Sequence, residues 1–456
     1  MAHIATPRLL YNQALFRADT WTVMKAALAA LLLSLLGTAH GAESDSAKTV
    51  DAALAAAQRE HRPVLLDFQA QWCYSCYYMA THVLTGPKWQ PIEQRVRVTE
   101  VDADSPDGAA WMKKLGIKAL PSYVVLKPDG SELGRVVAEQ APQAFYAAME
   151  RILAGSDALD ALKAKARNGT PASVAEVLAS YHARDEIQPG LDWYAALPAA
   201  QRTAADKDAR VNLWRDRLQL EKSAKAKDEP ACVVTAQRVL AADVGCDRYY
   251  VLGNLLACSE KLPAEQRKSL LDPQRAALDT LLTKQVFIAA PQCADQRTAV
   301  LAAADLDKAL GDHAAETAVL DRAVAFVRGK LGEDFAKDRN LADNLRVYLV
   351  RGERTAELDA LMPKLMAAYP DDYVYAYRYG RSLLDRNKPA EALKYLDQAA
   401  EKTFGANRLT VAGLRVKALL ALQRRADAEK VVADALEANG PWFPEEAAKL
   451  KALLKS

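Results

Sequence analysis

The feature that most constrains this chain is a pair of cysteines placed where an apolar run gives way to a helix. Val64-Leu65-Leu66-Asp67-Phe68 is an apolar run of strand length. It leads into Trp72-Cys73-Tyr74-Ser75-Cys76, from which the pattern predicts a helix to about Leu84, stopped by Gly86-Pro87. Cys73 then stands at a helix N-terminus, where unpaired N–H groups and the macrodipole favour an anion. Its thiol is expected below the range of a free cysteine, and the thiolate is the reactive form. Cys76 lies one helical turn deeper, so it can attack a mixed disulfide on Cys73 without large backbone movement. The spacing therefore predicts Cys73 as nucleophile and Cys76 as resolving thiol.

Two plainer readings of C-x-x-C compete. Half a zinc site needs a second close pair of Cys or His ligands. No other cysteine lies nearby, and His61 and His82 lack the spacing of a ligand pair, so no metal is expected. A purely structural disulfide fits poorly with an exposed strand-to-helix turn.

The flanking sequence reads as an α/β domain over residues 49–153. Val50 to Arg59 is a predicted helix, and Val96 to Val101 alternates as a strand. A short helix from Ala109 to Leu115 ends at Gly116. Strands at Tyr123 to Leu126 and Glu132 to Val137 flank the turn Pro128-Asp129-Gly130, and a helix from Pro142 to Leu153 closes the domain. Gly155-Ser156-Asp157 marks the expected boundary. Over residues 157–456 strand patterns nearly vanish, and helices of ten to twenty residues follow one another.

A repeat emerges late in that region. Gly380, Ala392, Leu396 and Ala399 recur thirty-six residues on as Val416, Ala428, Val432 and Ala435. Leu320-Asp321-Arg322-Ala323 echoes Leu396-Asp397-Gln398-Ala399. Small residues at helix crossings with this period resemble tetratricopeptide repeats, over residues 373–436 most clearly. For residues 157–290 a hairpin array and an irregular bundle both remain open, as does the number of repeats before residue 296. The tyrosines Tyr369, Tyr373, Tyr375, Tyr377 and Tyr379 read as helix packing rather than a groove lining.

Composition narrows the setting. The chain has 456 residues, more than one core usually serves, and a formal net charge of only +2, so no nucleic-acid partner is implied. Met24-Lys25, the apolar run Ala26 to Leu36, and the small residues Ala39 and Gly41 resemble a cleavable export signal cut before Ala42. We expect translation from Met24, with residues 1–41 comprising an upstream extension plus this signal. The apolar run is short for a membrane span, so none is expected after cleavage. Export permits disulfides.

The sequence resembles the thioredoxin superfamily. Val64 to Cys76 looks like the active-site strand and turn of that fold, and Leu120-Pro121-Ser122 like its cis-proline loop. Val83-Leu84-Thr85-Gly86-Pro87 and Gly116 to Pro121 look most like the periplasmic C-terminal domain of the DsbD type. The resemblance covers about a hundred residues. It implies an α/β thioredoxin fold, here followed by an all-α helical-hairpin solenoid, and disulfide exchange with no cofactor beyond the Cys73–Cys76 disulfide. It further implies that Trp72 shields the sulfurs, that Pro121 is cis, and that the Leu120 backbone pairs with an extended substrate. Asp67 occupies the family's buried acid position and would take the proton from Cys76; a solvent-facing strand-end Asp is the plainer reading. Tyr74-Ser75 replaces the Gly-Pro of ordinary thioredoxins, which leaves the direction of reaction open. Glu100 replaces a lysine. It either shares a site with Asp67, as a proton relay, or faces solvent.

Four distal cysteines remain. Helices at Ala231 to Ala242, Asp247 to Ala257 and Pro263 to Phe287, with a fourth from about Pro291, would be antiparallel neighbours. That order puts Cys232 beside Cys258 and Cys246 beside Cys293; four buried free thiols are the alternative. The expected function is a periplasmic thiol–disulfide oxidoreductase, a reductase or relay with protein thiol substrates and a redox partner protein. The alternative is an envelope interaction protein whose repeats do the work.

Overall fold

The computed structural model describes residues 49–455. The export signal, the start at Met24 and the cut before Ala42 lie outside the described residues. Four strands, β1 (Val64–Gln69), β2 (Arg97–Asp102), β3 (Ser122–Leu126) and β4 (Glu132–Val137), form one sheet in the order β2-β1-β3-β4. β1 and β2 are parallel, while β1–β3 and β3–β4 are antiparallel. Helices cover both faces, which is why β1 is apolar on both sides rather than alternating. Leu66, Phe68, Val124 and Leu126 pack with Val50, Ala53 and Trp111 on one face. Leu65, Tyr123 and Val125 pack on the other with Tyr78 and Met79 of the helix Tyr74–His82, and with Phe145 and Met149. This is the thioredoxin fold. Strand alternation puts Asp67 on the same face as Leu65, the face covered by the helix that carries Cys76.

Element ends differ from expectation where caps intervene. The helix Pro106–Leu115 begins three residues before Ala109, because Ser105 Oγ accepts the Gly108 N–H at 2.9 Å and Pro106 suits a first helical position. The expected helix from Pro263 to Phe287 is instead broken into Ala264–Leu271 and Gln274–Leu281, followed by a π turn at Leu282–Val286. Pro273 sits at the break, where it has no N–H to give.

From Leu159 onward the described chain is a helical-hairpin solenoid, each helix packing mainly on its sequence neighbours. In the hairpin Val374–Asp385 and Pro389–Ala400 a Cβ on Gly380 would lie 2.7 Å from Leu396 Cγ, so glycine sets the close approach there. Ala392, Leu396 and Ala399, and their counterparts Ala428, Val432 and Ala435, are all buried. Of the tyrosine stripe, Tyr373, Tyr375 and Tyr379 are buried in helix packing, but Tyr373 and Tyr377 also line a cleft, so the stripe serves both purposes. The helix Arg339–Arg351 packs directly on the helix Tyr74–His82, so the array meets the α/β domain at the cysteine pair.

Candidate active site

Cys73 is the N-cap of the helix Tyr74–His82 and is bonded to Cys76, with Cα atoms 5.2 Å apart. The Cys76 N–H donates to Cys73 Sγ at 3.1 Å. A backbone donor and a helix N-terminus thus converge on Cys73 Sγ, an arrangement that favours negative charge on a sulfur. The cysteines are 4% and 5% exposed and pack against Ala70, Ala103 and Leu120. The Leu120–Pro121 peptide is cis, and Pro121 O accepts the Ala138 N–H at 2.9 Å. Trp72 is half-exposed, and its Nε1 donates to Asp104 Oδ2 at 2.8 Å.

Asp67 is 7% exposed, and its Oδ1 has no hydrogen-bond partner. Burial, with a smaller contribution from the Glu100 charge, pushes its carboxyl from 3.8 up to about 7. The β1–β2 register sets Glu100 directly opposite Asp67, while Glu100 itself is exposed. Glu100 thus faces solvent, and its charge reaches the buried acid.

The distal cysteines are bonded as Cys232–Cys258, with Cα atoms 6.1 Å apart, and Cys246–Cys293, at 5.4 Å. The second bond anchors a segment that reaches the cysteine pair of the α/β domain. Two residues beyond Cys293, Asp295 accepts from Tyr250 OH at 2.7 Å and Tyr74 OH at 3.4 Å. The Arg297 guanidinium stacks 3.6 Å over the Tyr74 ring. Arg378 donates to Trp72 O at 2.7 Å and Asn340 to Tyr74 O at 2.9 Å, so the array grips the carbonyls on both sides of Cys73. Arg297, Arg346 and Arg378 converge on Asp343, which is fully buried and held well below the usual carboxylate range. A cleft of about 900 Å³ opens beside Trp72, lined by Asp104, Tyr373, Tyr377, Arg378 and Asn407.

Sequence reasoning missed Glu139, Asp295, Arg297, Asn340, Asp343 and Arg378. Glu139, two residues past β4, is 7% exposed with neither carboxylate oxygen paired in good hydrogen-bond geometry. Asp295 carried one legible signal, that of a helix N-cap, and it does accept the Thr298 N–H at 2.9 Å. Nothing in its spacing pointed to Tyr74.

Residues 45–128 match the family model for thioredoxin-like proteins. The thiol:disulfide interchange protein DsbD of Neisseria meningitidis is 34% identical over 96 residues, 20% of this chain and 16% of that protein. The match thus spans about a sixth of that relative's own length. The reduced-form crystal structure of the N. meningitidis DsbD C-terminal domain is 31% identical, covering 22% of this chain and 91% of that one, with a TM-score of 0.20. A tetratricopeptide repeat protein from Parabacteroides merdae covers 69% of this chain and 98% of its own at 13% identity, with a TM-score of 0.34. Through its α/β domain the chain belongs to the thioredoxin-like family, with the DsbD C-terminal domain among its relatives.

Proposed function

We propose that this protein is an exported, periplasmic thiol–disulfide oxidoreductase that reduces or relays electrons to particular proteins. The observation that carries the reading is the Cys73–Cys76 disulfide at a helix N-terminus with Asp67 buried on the same face of the sheet. Cys73 thiolate attacks a client disulfide; that S–S bond breaks, and the leaving client sulfur takes up a proton. Cys76 then gives its proton to the Asp67 carboxylate and attacks Cys73 Sγ. The mixed disulfide breaks, the second client sulfur leaves as a thiol after protonation, and the Cys73–Cys76 bond is restored. Each turnover moves two electrons and two protons to the client. A dithiol-bearing partner protein must return them. An acid near pH 7 suits this work, since it is present in both forms at neutral pH. Leu120 and Pro121 offer the edge on which an extended client pairs, and the helical array serves to dock clients or partners.

The test is a trapping experiment. Cys73→Ala should abolish reduction of a protein disulfide such as insulin. Cys76→Ala should accumulate mixed disulfides, because nothing resolves the adduct on Cys73. A Cys76→Ala protein free of adducts, alongside an active Cys73→Ala protein, rejects the assignment. A potential near the thioredoxin value of about −270 mV would make the pair a reductant, and one near the DsbA value of about −120 mV an oxidant.

A second reading draws on the grip of Arg378 and Asn340 on the Cys73 loop. In it the array is the working part, an interaction scaffold whose fit the disulfide regulates. Client binding that survives Cys73→Ala but depends on redox state would favour this second reading.

A further inference from the structure

Glu139 is a buried carboxyl that the exchange chemistry above does not use. It follows β4 next to Ala138, whose φ of 62° turns the chain sharply, and whose N–H is tied to Pro121. That turn aims Glu139 inward, at Ser75 between the two cysteines. The groups within electrostatic reach of it come from both parts of the molecule. Ser75, Tyr74 and Tyr78 belong to the active-site helix, Tyr123 to β3, and Tyr249, Tyr250, Asp295, Arg297 and Tyr348 to the helical array. Arg297 is the one cation among these groups, and its Nε and guanidinium N–H are already committed to Asn344 at 2.8 Å and Asp343 at 2.6 Å. Asp295 in turn accepts from Tyr250 and Tyr74 at Oδ2 and from the Thr298 N–H at Oδ1. Burial, and next the Asp295 charge, favour the protonated form of Glu139 over the smaller opposing pull of Ser75 and the Arg297 charge.

We propose that Glu139 holds an exchangeable proton beside the Cys73–Cys76 pair, and that Asp295, supplied by the helical array, keeps it there. The redox state of the cysteines and the protonation of Glu139 are then coupled. This rests on the exchange activity proposed above. When dithiothreitol reduces the pair, two electrons enter, the S–S bond breaks, Cys76 ends as a thiol and Cys73 as a thiolate, and one proton is left over. The thiolate is a new negative charge near Glu139, so it strengthens Glu139's hold on a proton; where Glu139 is ionised, it takes up that leftover proton. Reciprocally, an ionised Glu139 opposes the Cys73 thiolate. Burial, and next the Asp295 charge, push Glu139 up to about 8, which places the exchange in an accessible range. Glu139 acts through its charge and through Ser75, as a positioning residue.

The experiment uses the full chain with its distal disulfides intact and the Cys73–Cys76 pair reduced by dithiothreitol. Cys73 alkylation by iodoacetamide is followed from pH 5 to 10, with infrared redox-difference spectra of the protonated-carboxyl stretch. The native protein should show an inflection between pH 7 and 9 beyond that of Asp67, and a carboxyl band that changes on reduction. Glu139→Gln should lose that inflection and the part of the carboxyl band that Glu139 contributes. Asp295→Asn should move the inflection to lower pH, since a charge that holds the proton is gone. A Glu139→Gln profile superimposable on the native one overturns the proposal. If Glu139→Gln fails to fold, an Asp295→Asn profile with an unmoved inflection overturns it instead. A pair that dithiothreitol cannot reduce at all would refute the exchange activity rather than this assignment.

Discussion

Replacing Asp67 by Asn should stabilise the protein, and only at the right pH. An aspartate that rises from 3.8 to about 7 on folding is ionised in the unfolded chain over a range where the native state must keep it neutral. The unfolded state therefore binds fewer protons between those values, and native stability falls as pH climbs through them. At about 1.4 kcal/mol per pH unit, the loss amounts to roughly 4 kcal/mol, fully present above pH 7 and absent below about pH 3.8. The group is buried with Oδ1 unpaired, so solvent screening does little to reduce the figure. Asn carries no such penalty. Guanidinium unfolding of the oxidised protein should give Asp67→Asn a gain of a few kcal/mol at pH 8 that shrinks to nothing near pH 4. The same variant should slow release of a trapped client, because Cys76 loses its proton acceptor. An equal gain at both pH values would indicate repacking, and no gain at pH 8 would refute a neutral buried acid.

Three further perturbations probe the join between the two parts. Asp343→Asn leaves Arg297, Arg346 and Arg378 without their shared counter-charge, a loss of about 3–5 kcal/mol readable as a lower denaturant midpoint. Gly405 has φ +54° and a Cβ there would lie 1.9 Å from Asp104 O, so Gly405→Ala should cost about 1–3 kcal/mol. It should also free the Ala406 N–H, now 3.0 Å from Asp104 O, for rapid hydrogen exchange. Replacing Cys246 and Cys293 by Ser opens a loop of sequence separation 47, worth about 4 kcal/mol in the chain-entropy description. It should also loosen Asp295 and so shift the Cys73 alkylation profile; unchanged melting and an unchanged profile would contradict both expectations.

The sheet was legible because its signals are local. Val64 to Phe68, Tyr123 to Leu126 and the turn at Pro128-Asp129-Gly130 each announce themselves within a few residues, and a chain that buries both faces of β1 has few ways to order them. Helix order was enough to bring Cys232 near Cys258 and Cys246 near Cys293, since antiparallel neighbours share ends. What stayed hidden depends on contacts across hundreds of residues. Asn340 reaches Tyr74 over a separation of 266 and Arg378 reaches Trp72 over 306. Neither residue differs in its local pattern from a solvent-facing helix polar. Glu139 was hidden for a related reason: a charged residue just past a strand usually marks solvent, and only the array turns that position into an interior.

That difference in legibility follows the chemistry. Asp67 and the Cys73 N-cap come from the sheet and its first helix, so they can be read from one stretch of chain. The carbonyl grip, the Arg297 stack on Tyr74 and the Asp295 charge come from the array, and they act on the same two cysteines. Local backbone dipoles thus point at Cys73 Sγ, while the charges behind Ser75 are set by a distant segment pinned by its own disulfide. A substitution in the array that never touches Cys73 can therefore change how its thiolate forms, provided that it moves Asp295 or Arg297. One in the first hairpins of the array, at Leu178 for instance, packs in a separate cluster and should change stability without changing the thiol titration.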